Sequence, residues 1–182
     1  DIINDRGVHI CKSMLAYEKY GNNQNPNKKT DHFVGDYYVL YAKEQEAHPE
    51  FEEEIKSMLN LWESGDRKTR DLWRKMTDWA LAGLKITYDR YGVNMNKPYF
   101  ESEHYMKGKE IVLDELKKGV FEHDEKGNII ANLEKSGLGK KILLRSDGTS
   151  IYMTQDLVLA QLRYSDYHME KLIYIVGSEQ IH

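Results

Sequence analysis

Cysteine is almost missing from this chain: Cys11 stands alone. No internal disulfide can form, and a reducing, cytoplasmic setting is expected. No apolar run approaches the ~20 residues of a membrane span. A surplus of positive charge is missing too. The chain holds 26 Lys and Arg against 30 Asp and Glu, a net charge of −4. That balance argues against an autonomous nucleic-acid binder, which would carry a basic excess. No basic start followed by an apolar stretch opens the chain, so no secretory leader is expected. There are no internal repeats and no low-complexity tract. The seven histidines (His9, His32, His48, His104, His123, His168, His182) are scattered without metal-ligand spacing. Neither a Gly-x-Ser-x-Gly elbow nor a phosphate-cradling Gly-rich loop occurs. Nothing supports covalent nucleophilic catalysis or a resident metal.

What remains is an ordinary globular composition, 40% hydrophobic and 31% charged over 182 residues. That is enough for one domain with a real core. The chain opens without Met in a candidate strand and stops just after another, so an internal piece of a longer protein is expected. Residues 1–7 read as a short strand and turn. Val8 to Tyr20 has Ile10, Met14, Leu15 and Tyr17 at helical spacing, and Gly21 ends it. A polar loop, GNNQNPNKKTDH, follows. Phe33 to Lys43 is aromatic and reads either as helix or as short strand.

Glu44 to Glu54 carries six glutamates. Pro49 sits where a helix would start, Phe51 to Trp62 has one apolar face, and Gly65 breaks it. Arg67 to Tyr91 resumes as a long helix with Leu72, Met76, Trp79 and Gly83 in a stripe. The opposite side carries Arg67, Lys68, Arg70, Arg74 and Lys75. An acidic helix beside a basic one reads best as an antiparallel, solvated pair. Pro98 closes this region. Pro98 to Ser102 reads as a strand, His104 to Gly119 as a helix, and Val120 to Leu133 as a hairpin around Glu125-Lys126-Gly127-Asn128. Lys171 to Gly177 (KLIYIVG) is a continuous apolar run, as in a parallel strand covered on both faces. Strands alternating with helices give an α/β expectation: an open sheet interrupted by a hairpin insertion.

The most informative stretch runs from Leu143 to Arg163. Ile142, Leu143 and Leu144 end a strand, and Arg145-Ser146-Asp147-Gly148 makes a turn. Thr149 or Ser150 is then placed to cap a helix. In that helix Tyr152 and Asp156 lie four apart, on one face. A phenol and a carboxylate there suit a small cation, best of all a planar guanidinium, whose parallel donors meet two carboxylate oxygens. A solvated Asp favoured by the helix dipole is the alternative. At the end of the last strand, Gly177 lets a ligand approach the backbone, and Glu179 and Gln180 can hydrogen-bond a sugar hydroxyl or an amino group. A plain strand-end turn is the other reading.

Taken together, the blocks are more specific than any one spacing. Asn4-Asp5-Arg6-Gly7-Val8-His9-Ile10-Cys11-Lys12-Ser13-Met14, then His32-Phe33-Val34-Gly35-Asp36-Tyr37-Tyr38, then Phe100-Glu101-Ser102-Glu103-His104-Tyr105 resemble successive blocks of arginyl-tRNA synthetase. Leu144-Arg145-Ser146-Asp147-Gly148-Thr149-Ser150-x-Tyr152-x-Thr154-x-Asp156 and Val176-Gly177-Ser178-Glu179-Gln180 follow in the family's order. The resemblance implies a Rossmann-like class I catalytic domain, a parallel sheet flanked by helices with a helical segment and a small β-hairpin insertion. It implies ATP-dependent activation of arginine and transfer to tRNA(Arg), with Mg2+ accompanying ATP. It implies that Tyr152 and Asp156 hold the guanidinium, that Gln180 helps place the arginine, and that Gly177 and Glu179 lie near the ATP ribose. Glu101 and Ser102 match a motif lining the pocket. The hairpin leaves no room for an editing domain, and a site built on buried polar pairing needs none.

The departures are equally informative. Neither a His-x-Gly-His stretch nor a Lys-Met-Ser-Lys-Ser loop occurs, and Lys12-Ser13-Met14 is not one. Those motifs stabilise charge on the transferring phosphates, so residues 1–182 are expected to be the middle of a catalytic domain, inactive alone. An anticodon-binding domain is expected elsewhere in the protein, which is expected to act as a monomer. Two other readings stay open: a non-catalytic synthetase-like module that binds arginine or a protein partner, and a different class I synthetase. The latter would have no use for Asp156 if its amino acid were hydrophobic.

Overall fold

A computed structural model describes residues 2–146, 148, 151–175 and 177–178, with Tyr152 described as backbone only. The chain divides into two units, residues 1–102 and 103–182.

The first unit is four helices joined to a minimal parallel sheet. Strand β1 (Ile2–Ile3) leads through Asn4-Asp5-Arg6-Gly7 into α1 (Val8–Tyr20). Then come α2 (Thr30–Glu44), α3 (Phe51–Ser64) and α4 (Arg67–Tyr91), and β2 (Tyr99–Phe100) returns beside β1 in parallel, pairing Ile2 with Tyr99 and Ile3 with Phe100. The periodicities expected for α1 and α4 hold to the residue. The ambiguous aromatic stretch is helical, because Phe33, Tyr37 and Tyr41, spaced by four, all face the core. Tyr17 meets Phe33, Tyr37 and Trp79 edge-on at 6.3, 5.2 and 5.7 Å between ring centres. Such pairs add to simple area burial. Lys75 lies 4.8 Å from the Trp79 ring centre and donates to the Tyr17 hydroxyl at 2.9 Å.

The long helix α4 starts at Asp66, whose carboxylate accepts from the Thr69 amide at 2.8 Å and from its hydroxyl at 2.7 Å. This satisfies one of the free first-turn amides. The charges of α3 and α4 pair with neighbours: Lys68 with Glu18, Glu54 with Lys19 and Arg67 with Asp71. These are exposed pairs, each of small energetic weight.

The second unit holds an antiparallel sheet and two long helices. Helix α5 (Glu101–Lys117) begins two residues before the unit boundary. Strands β3 (Glu122–His123), β4 (Ile129–Leu133) and β5 (Gly139–Leu144) form a meander in the order β3-β4-β5, and α6 (Tyr152–Tyr167) follows. The expected hairpin is therefore extended: the strand ending at Leu144 is its third member. Ile129, Leu143 and Leu144 form one buried cluster with Val112 of α5, and Ile130 is buried as well. At Gly108 the two helices come so close that a Cβ would sit 2.8 Å from the Thr154 side chain. Thr154 is fully buried and its hydroxyl donates to the Leu143 carbonyl, tying α6 to β5.

Three expectations change. First, the strand expected over Pro98 to Ser102 is only Tyr99–Phe100, because the chain turns helical at Glu101. Second, residues 171–175 of the apolar run form neither helix nor strand, and Ile173, Tyr174 and Ile175 are exposed. A strand needs a neighbour to complete its ladder, and no described strand pairs with this segment. Third, the residue preceding α6 is Ile151, with no side-chain cap; the cap expected from Thr149 or Ser150 lies outside the described residues. No described helix is long and apolar enough to cross a membrane.

The turn of the β3–β4 hairpin is built on Asp124. Its carboxylate accepts from the Asn128 amide and side chain, both at 2.8 Å, and from the Lys126 amide at 2.9 Å. The Asn128 side chain holds this carboxyl below its ordinary pKa, as the Thr69 hydroxyl does for Asp66. A carboxylate depressed in the folded state contributes stability above its unfolded pKa and loses it as pH falls through the lower folded value. The melting temperature is therefore expected to decline below about pH 4. Asp124→Asn should flatten that acid limb in melts taken across the pH range; an unchanged limb would remove Asp124 from the account.

Candidate functional site

Four consecutive-pair residues meet where β1 and β2 end. Asp5 and Arg6 follow β1, and Glu101 and Ser102 follow β2. Ligands of α/β sheets bind outside the carboxyl ends of parallel strands. Asp5 is only 4% exposed. One of its oxygens accepts from the Ser102 amide at 2.9 Å, the other from the Ser102 hydroxyl at 2.6 Å. The Asp5 carbonyl accepts from the indole N–H of Trp73. Arg6, largely covered, is ion-paired with Glu63 and lies 3.6 Å from the Glu101 carboxylate. Its guanidinium also sits 5.5 Å from the Trp62 ring centre. Burial raises the Glu101 carboxyl above its ordinary pKa; Arg6 pulls it back down, and Asp5 pushes it up further. Arg6 thus stands between two carboxylates, Glu63 and Glu101, and the Asp5 carboxylate is close enough to Glu101 to act on it. The spacing arguments passed over Asp5 and Arg6 as site residues. The signal was present, an acid and a base side by side between a strand and a glycine.

Beside Asn4 and Asp5 opens a mainly apolar cleft of about 280 Å³, bordered by Ile10, Met14, Val34 and Leu81. A second cleft of about 370 Å³, between α1, α3 and α4, is lined by none of the residues expected at the site.

In the second unit, Asp156 lies in the second turn of α6, one helical turn after the backbone of Tyr152. Asp156 remains exposed as a residue. Neighbouring atoms nevertheless desolvate its carboxyl enough to raise its pKa, while the charge of Arg163 opposes the shift. A raised carboxyl facing solvent is poised to gain from a cationic ligand. Asn128 extends the hairpin toward the segment before α6 by accepting from the Ser146 amide at 3.0 Å. Gly177 is exposed. The Tyr152 phenol, Glu179 and Gln180 lie outside the described residues, as does Asp147. Glu101 and Ser102 are therefore brought together with Asp5 and Arg6, whereas Asp156 and Gly177 belong to the second unit.

Lone Cys11 is buried on the inner face of α1, and its thiol is pushed up to about 11 by burial, against the pull of Arg6. A buried thiol held in its protonated form is a weak nucleophile at neutral pH. Among the described residues, no group of three or more His, Cys, Asp or Glu is arranged to hold a metal ion.

Comparison with known proteins agrees with this arrangement of motifs. Residues 3–182 match the family model described as tRNA synthetases class I (R), catalytic domain. The arginine–tRNA ligase of Treponema denticola is 51% identical over 185 residues, covering 99% of this chain and 31% of that protein. The arginine–tRNA ligase of Parabacteroides distasonis is 46% identical over 200 residues, with 99% and 34% covered. The chain thus spans about a third of the length of these relatives. Among solved structures, the arginyl-tRNA synthetase of Thermus thermophilus superposes with a TM-score of 0.67 at 21% identity, over 88% of this chain and 28% of that one. That of Plasmodium falciparum gives 0.61 at 16% identity, over 90% and 27%. At such identities the structures speak for the fold alone, and the fold is that of a class I synthetase catalytic domain. By its sequence, from Ile3 to His182, the chain belongs to the class I tRNA synthetase (R) catalytic-domain family.

Proposed function

We propose that this chain is the middle part of the catalytic domain of an arginine–tRNA ligase. The observation that carries the reading is identity of up to 51% with arginine–tRNA ligases along 99% of the chain. The protein joins arginine to ATP as an adenylate, releasing pyrophosphate, and passes the arginyl group to tRNA(Arg) in the cytoplasm. ATP brings its Mg2+ with it. Asp156 receives the substrate guanidinium through two parallel hydrogen bonds, with Tyr152 on the same helical face. Gln180 places the arginine, and Gly177 and Glu179 lie near the ribose. Glu101 and Ser102 line the pocket, and Arg6 and Asp5 hold them from the end of β1. The phosphate-stabilising His-x-Gly-His and Lys-Met-Ser-Lys-Ser motifs and the anticodon-binding domain belong to the rest of the protein, which acts as a monomer. Electrostatic stabilisation of the transferring phosphates supplies most of the rate in this reaction class.

The test is charging of tRNA(Arg) with labelled arginine by the intact protein. Charging with arginine and not with lysine is expected, since lysine cannot reproduce the planar fork. Binding of arginine without any charging would turn the reading into that of a non-catalytic module. Residues 1–182 alone are expected to show no arginine-dependent exchange of pyrophosphate into ATP; exchange above background would refute that division of labour.

A further inference from the structure

We propose that Asp5 is a positioning residue for the substrate pocket, holding Ser102 from across the parallel strands and thereby setting where Glu101 stands beside Arg6. The inference rests on the reading that Glu101 and Ser102 line that pocket.

A carboxylate that is 4% exposed is costly unless its oxygens are met. Here one residue, 97 positions away, meets both: the Ser102 amide at 2.9 Å and its hydroxyl at 2.6 Å. Neighbouring residues then make a second link, Arg6 standing 3.6 Å from Glu101. Two adjacent residues after β1 thus grip two adjacent residues after β2.

Holding the strands together does not require this grip, because β1 and β2 already pair directly through Ile2–Tyr99 and Ile3–Phe100. What the strand ladder leaves undetermined is the first turn of α5. The first-turn amides of a helix have no partner inside it, and Phe100, just before Glu101, has no side-chain acceptor to offer. Asp5 supplies that acceptor from outside. Without it the first turn frays or shifts, and Glu101 moves with it. Misplacement of a binding group by about 1 Å can cost a hundredfold.

Geometry and charge can be separated at this position. Asparagine keeps the shape of Asp5. Its carbonyl accepts from the Ser102 amide, and its amide donates to the Ser102 hydroxyl, which accepts as readily as it donates. Asp5→Asn therefore keeps both bonds without the charge. Asp5→Ala removes both. Asp5→Glu keeps the charge but pushes Ser102 away by a methylene.

The experiment is arginine-dependent pyrophosphate exchange by the intact protein, with KM for arginine, KM for ATP and kcat measured for each variant beside its melting temperature. Asp5→Ala and Asp5→Glu should each raise KM for arginine about tenfold or more, with kcat falling less and KM for ATP unchanged. Asp5→Asn should return KM for arginine close to the wild-type value. If Asp5→Ala fails to fold, Asp5→Glu carries the test. The inference is overturned if the variants only lower the melting temperature, or if Asn fails as badly as Ala, which would make the effect one of charge. Glu101→Gln distinguishes the underlying reading. If it leaves KM for arginine unchanged, the pocket assignment fails and the inference falls with it. If it raises that KM while Asp5→Ala does not, the pocket stands and only the role of Asp5 is lost.

Discussion

Asp156→Ala in the intact protein is expected to lower kcat/KM for arginine by about 3–5 kcal/mol, roughly a hundred- to a thousandfold or more. The loss should appear in KM for arginine, with KM for ATP nearly unchanged. The magnitude follows from two charge-assisted hydrogen bonds, each about 1.5–3 kcal/mol. Asp156→Asn should be nearly as damaging, because it offers one acceptor and turns a donor toward another donor. The acid side of the pH profile gives an independent readout. Neighbouring atoms raise the Asp156 carboxyl above its ordinary value in the free protein. Bound arginine favours the ionised form, so the bound-state pKa is lower than the free one. Affinity is therefore full above the free-state value and is lost as pH falls through it. KM for arginine should begin to rise at a higher pH than an unperturbed aspartate would give. If KM for arginine were unaffected by Asp156→Ala while charging persisted, the ligase would stand and the guanidinium site would lie elsewhere.

Gly83→Val should strongly destabilise the helical unit. A Cβ at position 83 would sit 2.4 Å from both the backbone nitrogen and a carboxylate oxygen of Asp31. The nitrogen is main chain and cannot rotate away. The carboxylate is itself tied to the His32 amide at 2.9 Å and to Lys29. Helix α2 would have to move off α4, opening the core around Phe33 and Met76. Overpacking of this kind costs about 3 kcal/mol or more, or about 10 °C or more in melting temperature for a unit of this size. Intrinsic preference acts the other way, since glycine inside a helix is about 1 kcal/mol worse than alanine; the steric term wins. Gly35 makes the control. It lies in α2, and nothing stands within 4 Å of its would-be Cβ. Gly35→Ala should therefore raise the melting temperature slightly. Thermal melts of the two variants must move in opposite directions; if both rise, α2 and α4 are not in close contact at Gly83.

The two glycines show where sequence reading stops. Gly83 falls in the apolar stripe of its helix and Gly35 in a stretch that reads either as helix or as strand, but neither pattern tells how near the next helix comes. Only the crossing of α2 and α4 makes one irreplaceable and the other a weakness. The site divides in the same way. That Tyr152 and Asp156 lie one helical turn apart was legible because a spacing of four is a local property of a helix. Asp5 was not legible as a partner of Ser102, because its contact spans 97 residues.

From the sequence alone came the helices α1 and α4, the hairpin turn around Glu125 to Asn128 and the family. Each rests on periodicity, on turn chemistry or on blocks that keep their order along the chain. Three things were left to tertiary structure. The acceptor for a first-turn amide of α5, that of Ser102, comes from Asp5, after β1. The strand ending at Leu144 joins β4 because Ile142 and Lys141 meet Ile130 and Ala131 across the ladder. The apolar run at 171–175 is no strand here although its composition is that of one. Periodicity depends only on neighbours within a turn or two, whereas a cap, a ladder or a close helix crossing exists only when a distant segment arrives to complete it.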